Sequence, residues 1–459
     1  MTYPQTNSIA FVLFATGVTA IGGFLFGYDS AVINGANSYL KAHLGLTPAQ
    51  QGFAGASAIL GCIPGAMLAG FLSDRFGRKK LLFISAILFG LSSLLSALPR
   101  TFEEFLMARF IGGIGIGAAS MICPVYIAEM SPERLRGRLG ALFQLGIVTG
   151  ILLTLFINML IQGIGDEAWN TAYGWRWMLG LGGAPALLFL GLLFAVPESP
   201  RWLAQNGEET KAREIFEKID GPVHADEEMR AIRRVSGDDE GRLSELFSGP
   251  FRKPMLIAII LMACSQFCGI NAIMYYSTEI FESAGGGKDA AFTSTVWVGV
   301  INLLFTFVAI ALVDKAGRRP LLLIGTAVQV IALGLIGWMF HTGQSGVGLL
   351  VCVVLFIAAF AMALGPVAWL FCSEIFPNKL RGRAMSVASL TVWICCYVVA
   401  QTFPMMNESP SIGPALTFWI YAAVSLFAFV FVIAMLPETK GRTLEEIEAD
   451  WKNNSPTKS

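Results

Sequence analysis

Asp29 lies in GFLFGYDSAVING, residues 23 to 35, a run otherwise apolar enough for a bilayer. A charge deep in a membrane costs ~2.5 to 3.5 kcal/mol, so such a residue normally has a partner, faces a cavity and carries function. The clearest partner is Arg109 in FLMARFIGGIGIG. An opposite charge favours the ionised carboxyl, whereas desolvation favours the protonated one. A carboxyl whose surroundings change with conformation can therefore couple proton binding to that change; a static ion pair is the alternative. The glycines after Arg109 (Gly112, Gly113, Gly115, Gly117) resemble a phosphate-cradling loop only superficially. No strand precedes them, and close helix packing is the better reading.

A second set of charges lies between apolar runs. Asp74 and Arg78 recur as Asp314 and Arg318, Glu129 and Arg136 as Glu374 and Arg381, and Pro197-Glu198-Ser199 as Pro437-Glu438-Thr439, at offsets of 240, 245 and 240 residues. Carboxylates at helix ends facing guanidinium groups form bidentate, partly desolvated pairs. Such pairs can latch two halves in one state and break in another, which makes these eight charged residues a candidate gate. Alternatively the basic residues serve only as topology signals.

The elements that must position these groups are helices in a membrane. Of 459 residues, 55% are hydrophobic and 14% charged, and mean hydropathy is positive, unlike an ordinary soluble domain. About twelve runs reach the ~20 apolar residues that a helix needs to cross a bilayer. They fall near 9–35, 52–73, 81–98, 104–128, 138–162, 175–196, 254–280, 291–313, 321–341, 347–373, 384–405 and 413–436. At ~1.5 Å rise per residue, Asp29 near the end of span one and Arg109 near the start of span four reach similar depth. The loops DRFGRKK, SPERLRGR, DKAGRR and FPNKLRGR carry thirteen Lys and Arg, against Lys41, Arg100 and Lys288 in the alternate loops. The basic side is expected to be cytoplasmic, with both termini there. Three matched motifs in one order imply two homologous six-helix halves of the same orientation. Expected boundaries are residues 1–205 for the first bundle, 206–250 for a polar linker with short amphipathic helices, 251–445 for the second bundle and 446–459 for a tail.

Several other classes are disfavoured. Lys+Arg and Asp+Glu are both 32, so net charge suggests no nucleic-acid partner. The eight cysteines lie in or beside apolar segments and read as packing residues. His43, His224 and His341 are the only histidines, and no metal-ligand cluster or nucleophile–base pair stands at useful spacing. The expectation is no enzyme, no metal and no cofactor. The N-terminus lacks a basic n-region, and its apolar run is long enough to span.

Taken in order, Gly70, Asp74-Arg75-Phe76-Gly77-Arg78-Lys79, Arg136-Gly137-Arg138, Pro197-Glu198-Ser199-Pro200-Arg201, Gly269-Ile270-Asn271, Tyr275-Tyr276 and Pro437-Glu438-Thr439-Lys440-Gly441 resemble the sugar porter family of the major facilitator superfamily. The resemblance runs from about Gly23 to Gly441. It implies an all-α membrane fold, twelve transmembrane helices in two parallel-repeat six-helix bundles. The activity it implies is import of a monosaccharide by proton symport through alternating access, in the cell (inner) membrane, with a monomer as the working unit and the lipid bilayer as its surroundings. Proton-coupled members carry an acid at the position of Asp29, and some carry another in span six, which here has none. A uniporter and, more distantly, a transporter-like sugar sensor are the competing readings.

A sugar presents hydroxyls and an apolar ring face, so its site needs amides for hydrogen bonds and an aromatic ring for stacking. Gln144, Gln266, Asn271, Asn302, Trp369 and Trp393 stand out among the amides and indoles within the spans, although each could equally bridge or pack helices. The resemblance matches them to sugar-contacting positions, with two departures: Ser265 replaces a glutamine, and Val392 replaces an amide beside Trp393. Ile151 stands where a pentose pattern has glutamine and hexose facilitators have an aliphatic residue, which leans toward a hexose.

Overall fold

The structure is a computed structural model that describes residues 5–235, 243–285, 287–344, 346–442 and 444–453. Twelve stretches among them are long and apolar enough to cross a bilayer. In the first half they are α1 (Gln5–Leu44), α2 (Pro48–Phe76), α3 (Arg78–Ala97), α4 (Phe102–Glu129), α5 (Arg136–Gln162) and α6 (Glu167–Leu193). Two polar-side helices follow, α7 (Pro200–Gln205) and α8 (Glu209–Val235). The second half comprises α9 (Arg252–Phe267), α10 (Ile270–Ser283), α11 (Lys288–Ala316), α12 (Arg318–Thr342), α13 (Val347–Met362), α14 (Pro366–Glu374), α15 (Asn378–Asn407) and α16 (Gly413–Met435), before a final short α17 (Leu444–Asn453).

Three spans are interrupted where continuous apolar runs predict single helices. The seventh breaks at Gly269, whose φ of 88° is left-handed and whose added Cβ would strike the Tyr421 ring. The tenth breaks between Met362 and Pro366, because Pro366 has no N–H to continue the ladder. The sixth, after a π turn over Asn170–Gly174, breaks between Gly180 and Gly183. Span one also runs past its expected end at 35, continuing helically to Leu44 through residues that are largely buried.

The chain forms two compact units. One holds residues 1–36, 57–157 and 165–239, and the other holds 37–56, 158–164 and 240–459. In the first, glycines let backbones touch: Gly113 and Gly117 of α4 face the carbonyls of Ala58 and Cys62 on α2, and Gly112 faces Ser92 on α3. Likewise Gly23 and Gly27 of α1 face the carbonyls of Phe143 and Ile147 on α5. The glycine run after Arg109 is thus a packing device on two neighbouring helices. The polar segment is helical as expected over α8, with Ala212, Ile215, Phe216 and Ile219 making a buried stripe at helical spacing. It kinks at Asp220 and Gly221.

Candidate functional site

The seam of α1 and α4 delivers the pair expected from their depths. Arg109 Nη2 donates to Asp29 Oδ2 at 3.0 Å, and Nη1 donates to Oδ1. Asp29 is 8% exposed and Arg109 4%, so this is a desolvated, bidentate ion pair. Arg109 Nε is buried without a partner. Losing either member would strand the other charge, which is the costly way to break such a pair. The neighbouring Tyr28 donates its hydroxyl to Met178 O at 2.8 Å, and its ring lies 2.8 Å from where a Cβ on Gly182 would stand. Gly182 of α6 is thereby kept free of a side chain, while Leu181 beside it is exposed and carries no acid.

In the second unit, the break at Gly269 turns the end of α9 and the start of α10 toward each other. Asn271 Nδ2 donates to Gln266 Oε1 at 2.6 Å, and Gln266 Nε2 donates to Ser265 Oγ at 3.0 Å. Ser265, the departure from the family pattern, thus orients the glutamine that it precedes. The helices bearing Trp369 (α14) and Trp393 (α15) both pack on α9. Trp393 is buried, whereas Trp369 and Asn302 are partly exposed. Asn302 makes no side-chain hydrogen bond among the described residues. Gln144 stands on α5 in the first unit, partly exposed and also without a side-chain bond. Ile151, two turns on, is buried.

The charged repeats fold into the same cluster twice, once in each unit. Arg78 donates through Nε and Nη2 to the two oxygens of Glu129, both at 3.2 Å, and Nη1 meets Asp74 Oδ1 at 3.0 Å. Arg318 repeats this with Glu374 at 3.1 and 2.7 Å and with Asp314 at 3.3 Å. Each trio is internal to its own half. Arg136 and Arg381 do not join them: Arg136 is exposed on a recess of about 110 Å³ that Glu129, Arg201 and Glu228 also line, and Arg381 Nε is buried without a partner.

Sequence reasoning missed the two acids of the Pro-Glu motifs as organisers of these clusters. Glu198 accepts from the backbone N–H groups of Lys79 and Ser199 at 3.0 and 2.8 Å. Glu438 accepts from Arg318, Arg319, Thr439 and Lys440 at 2.9 to 3.0 Å. Burial pushes Glu198 above the usual carboxylate range despite its donors. Burial also pushes Glu438 up, but four N–H groups outweigh it and hold that acid below the range. Gly77 and Gly317, at φ 98° and 91°, let each carboxylate approach the following helix N-terminus.

Residues 15–451 match the family model described as "Sugar (and other) transporter". The chain is 42% identical to the arabinose-proton symporter of Bacillus subtilis (strain 168) over 449 residues, covering 97% of this chain and 96% of the relative. It is 40% identical to the D-xylose-proton symporter of Escherichia coli (strain K12) over 484 residues, covering 98% and 97%. Its identity to a glucose transport protein of Synechocystis sp. (strain ATCC 27184 / PCC 6803 / Kazusa) is 41% over 464 residues, 96% and 98% of the two chains. Among solved structures, the inward open conformation of the xylose transporter XylE from E. coli superposes with a TM-score of 0.85 at 39% identity, covering 96% of this chain and all of that one.

Proposed function

Because the chain belongs to the sugar (and other) transporter family, we propose that it imports a monosaccharide together with a proton by alternating access. It is a multi-pass membrane protein of twelve spans. The proposed location is the cell (inner) membrane, with the thirteen loop Lys and Arg and both termini facing the cytoplasm. The working unit is a monomer in the bilayer that acts as a transporter and performs no catalysis.

The observation that carries the reading is the buried bidentate pair of Asp29 and Arg109. In this conformation the guanidinium binds both carboxylate oxygens, and placing a proton on Asp29 gives up that charge-assisted pair. Proton binding and rearrangement of α1 against α4 are then one event. Sugar binding is assigned to Gln144, Gln266, Asn271, Asn302, Trp369 and Trp393. The joined amides of Gln266 and Asn271 supply fixed donors and acceptors to ring hydroxyls. The trios Asp74–Arg78–Glu129 and Asp314–Arg318–Glu374 are assigned to the cytoplasmic gate, each acting within its own half, and Arg136 and Arg381 stand outside them.

Asp29→Asn in proteoliposomes is expected to abolish accumulation driven by a pH gradient while sparing sugar exchange; loss of both, or of neither, would refute the coupling role. Wild-type protein should alkalinise the medium as sugar enters, where a uniporter would not. A panel of arabinose, xylose and glucose, the sugars in the relatives' names, tests the lean toward a hexose drawn from Ile151.

A further inference from the structure

The second unit includes the ends of α1 and α2 remote from the basic loops, residues 37–56. They are held there by polar contacts. Lys41 pairs with Glu408 at the end of α15, Gln401 Nε2 donates to Ala49 O at 2.9 Å, and Gly55 lies against the hydroxyl of Tyr276. At the centre of this seat is Glu279 on α10, partly buried about one turn from the end of that helix. Gln51 of α2, fully buried, donates Nε2 to Glu279 Oε1 at 2.6 Å.

Two details of this contact are incomplete for an ionised acid. No Lys or Arg among the described residues lies within ion-pair distance of Glu279. The charged groups around it are Lys41 on α1, Glu408 on α15 and Glu282 on its own helix, and the phenol of Tyr276 also feels its charge. Lys41 is engaged by Glu408, and Lys288 of α11 stands 3.9 Å from Glu282. The second detail is Gln51 Oε1, a buried carbonyl oxygen with no donor. A buried acceptor left open costs about 1 to 3 kcal/mol and requires an explanation. A carboxylic acid gives one: its O–H donates, so an acid paired with a primary amide makes two reciprocal hydrogen bonds.

We propose that Glu279 is a second proton-binding carboxyl of the transport cycle, protonated while Gln51 is seated on it. Its O–H then donates to Gln51 Oε1 while the Gln51 amide donates back. When the ends of α1 and α2 leave the seat, the acid meets water and releases its proton to that side. Reseating takes a proton from the same side. The cycle's sidedness rests on the transporter reading, in which this side is external; the protonation itself does not.

Infrared spectroscopy of the purified protein without sugar at neutral pH tests the first half. A carbonyl band of a protonated carboxyl is expected in wild type, missing in Glu279→Gln and shifted in Gln51→Leu; identical bands in wild type and Glu279→Gln overturn the proposal. Hydrogen exchange at residues 48–56, corrected for intrinsic rate, tests the second half. Raising the pH from about 6 to 9 should speed exchange by about tenfold in wild type, the worth of one lost hydrogen bond. Glu279→Gln, whose amide keeps the reciprocal pair without titrating, should show no such change. Equal pH responses in the two proteins overturn the coupling of proton to seat. Both measurements omit sugar, so a failure of sugar–proton symport in vesicles would leave their outcome readable.

Discussion

Asp29 and Arg109 were legible in the sequence because charged residues inside apolar spans are few, and helix rise alone brings these two to one depth. The amides needed the family pattern to be singled out, since a buried amide can equally bridge helices. What no local pattern reveals is pairing across 228 residues, and so Gln51 and Glu279 went unmarked. The cluster of Ser265, Gln266 and Asn271 yields a residue-scale prediction. Gln266→Ala removes the acceptor of the Asn271 amide and the donor to Ser265, so two orienting bonds are lost together. Sugar affinity measured by equilibrium binding should fall by about tenfold or more, the worth of at least one net hydrogen bond. Unchanged affinity would remove Gln266 from the site.

Helices were legible as apolar runs, but their interruptions were not, because hydropathy does not report backbone direction. Gly269 stands between Gln266 and Asn271 in a span long and apolar enough to read as one helix, and only its φ of 88° and the adjoining Tyr421 ring show that nothing but glycine fits. The extension of α1 to Leu44 was hidden for a different reason: the segment carries Asn37, Ser38 and Lys41, polar residues that end an apolar run without ending a helix. Glycine packing makes the element-scale prediction. A side chain at Gly117 must run into the Cys62 carbonyl, and its own helix cannot move without shifting Arg109 two turns earlier. Gly117→Val should therefore lower the thermal unfolding midpoint, with about 1 to 3 kcal/mol lost to overpacking, and weaken proton-driven uptake more than sugar exchange. A stable variant with wild-type coupling would show that α4 does not need this close approach.

At the scale of the molecule, the repeat offset of about 240 residues is realised as two copies of one charged cluster, a correspondence that sequence motifs alone can state but not tune. The copies differ where composition is silent, in how burial and N–H donation balance at the carboxylate of the Pro-Glu motif. Glu438, less buried and reached by four N–H groups, is held low; Glu198, more deeply buried and reached by the N–H groups of Arg78, Lys79 and Ser199, is raised. Their contributions to stability therefore depend on pH in opposite senses. For Glu438, stability is fully present above its ordinary value of 4.5 and is lost as pH falls through its lower folded value. For Glu198, the folded state favours the protonated acid, so its contribution is fully present below 4.5 and is lost as pH rises through its higher folded value. Melting in detergent across this acid range should show Glu438→Gln less stable than wild type at neutral pH, by about 1 kcal/mol for a half-buried acid, and converging with it as pH falls below 4.5. Glu198→Gln should instead gain on wild type as pH rises above 4.5, because the variant has no carboxylate to ionise in that buried position. Parallel pH slopes for the two variants would show that the copies are equivalent in solution and that the difference in burial has no energetic consequence.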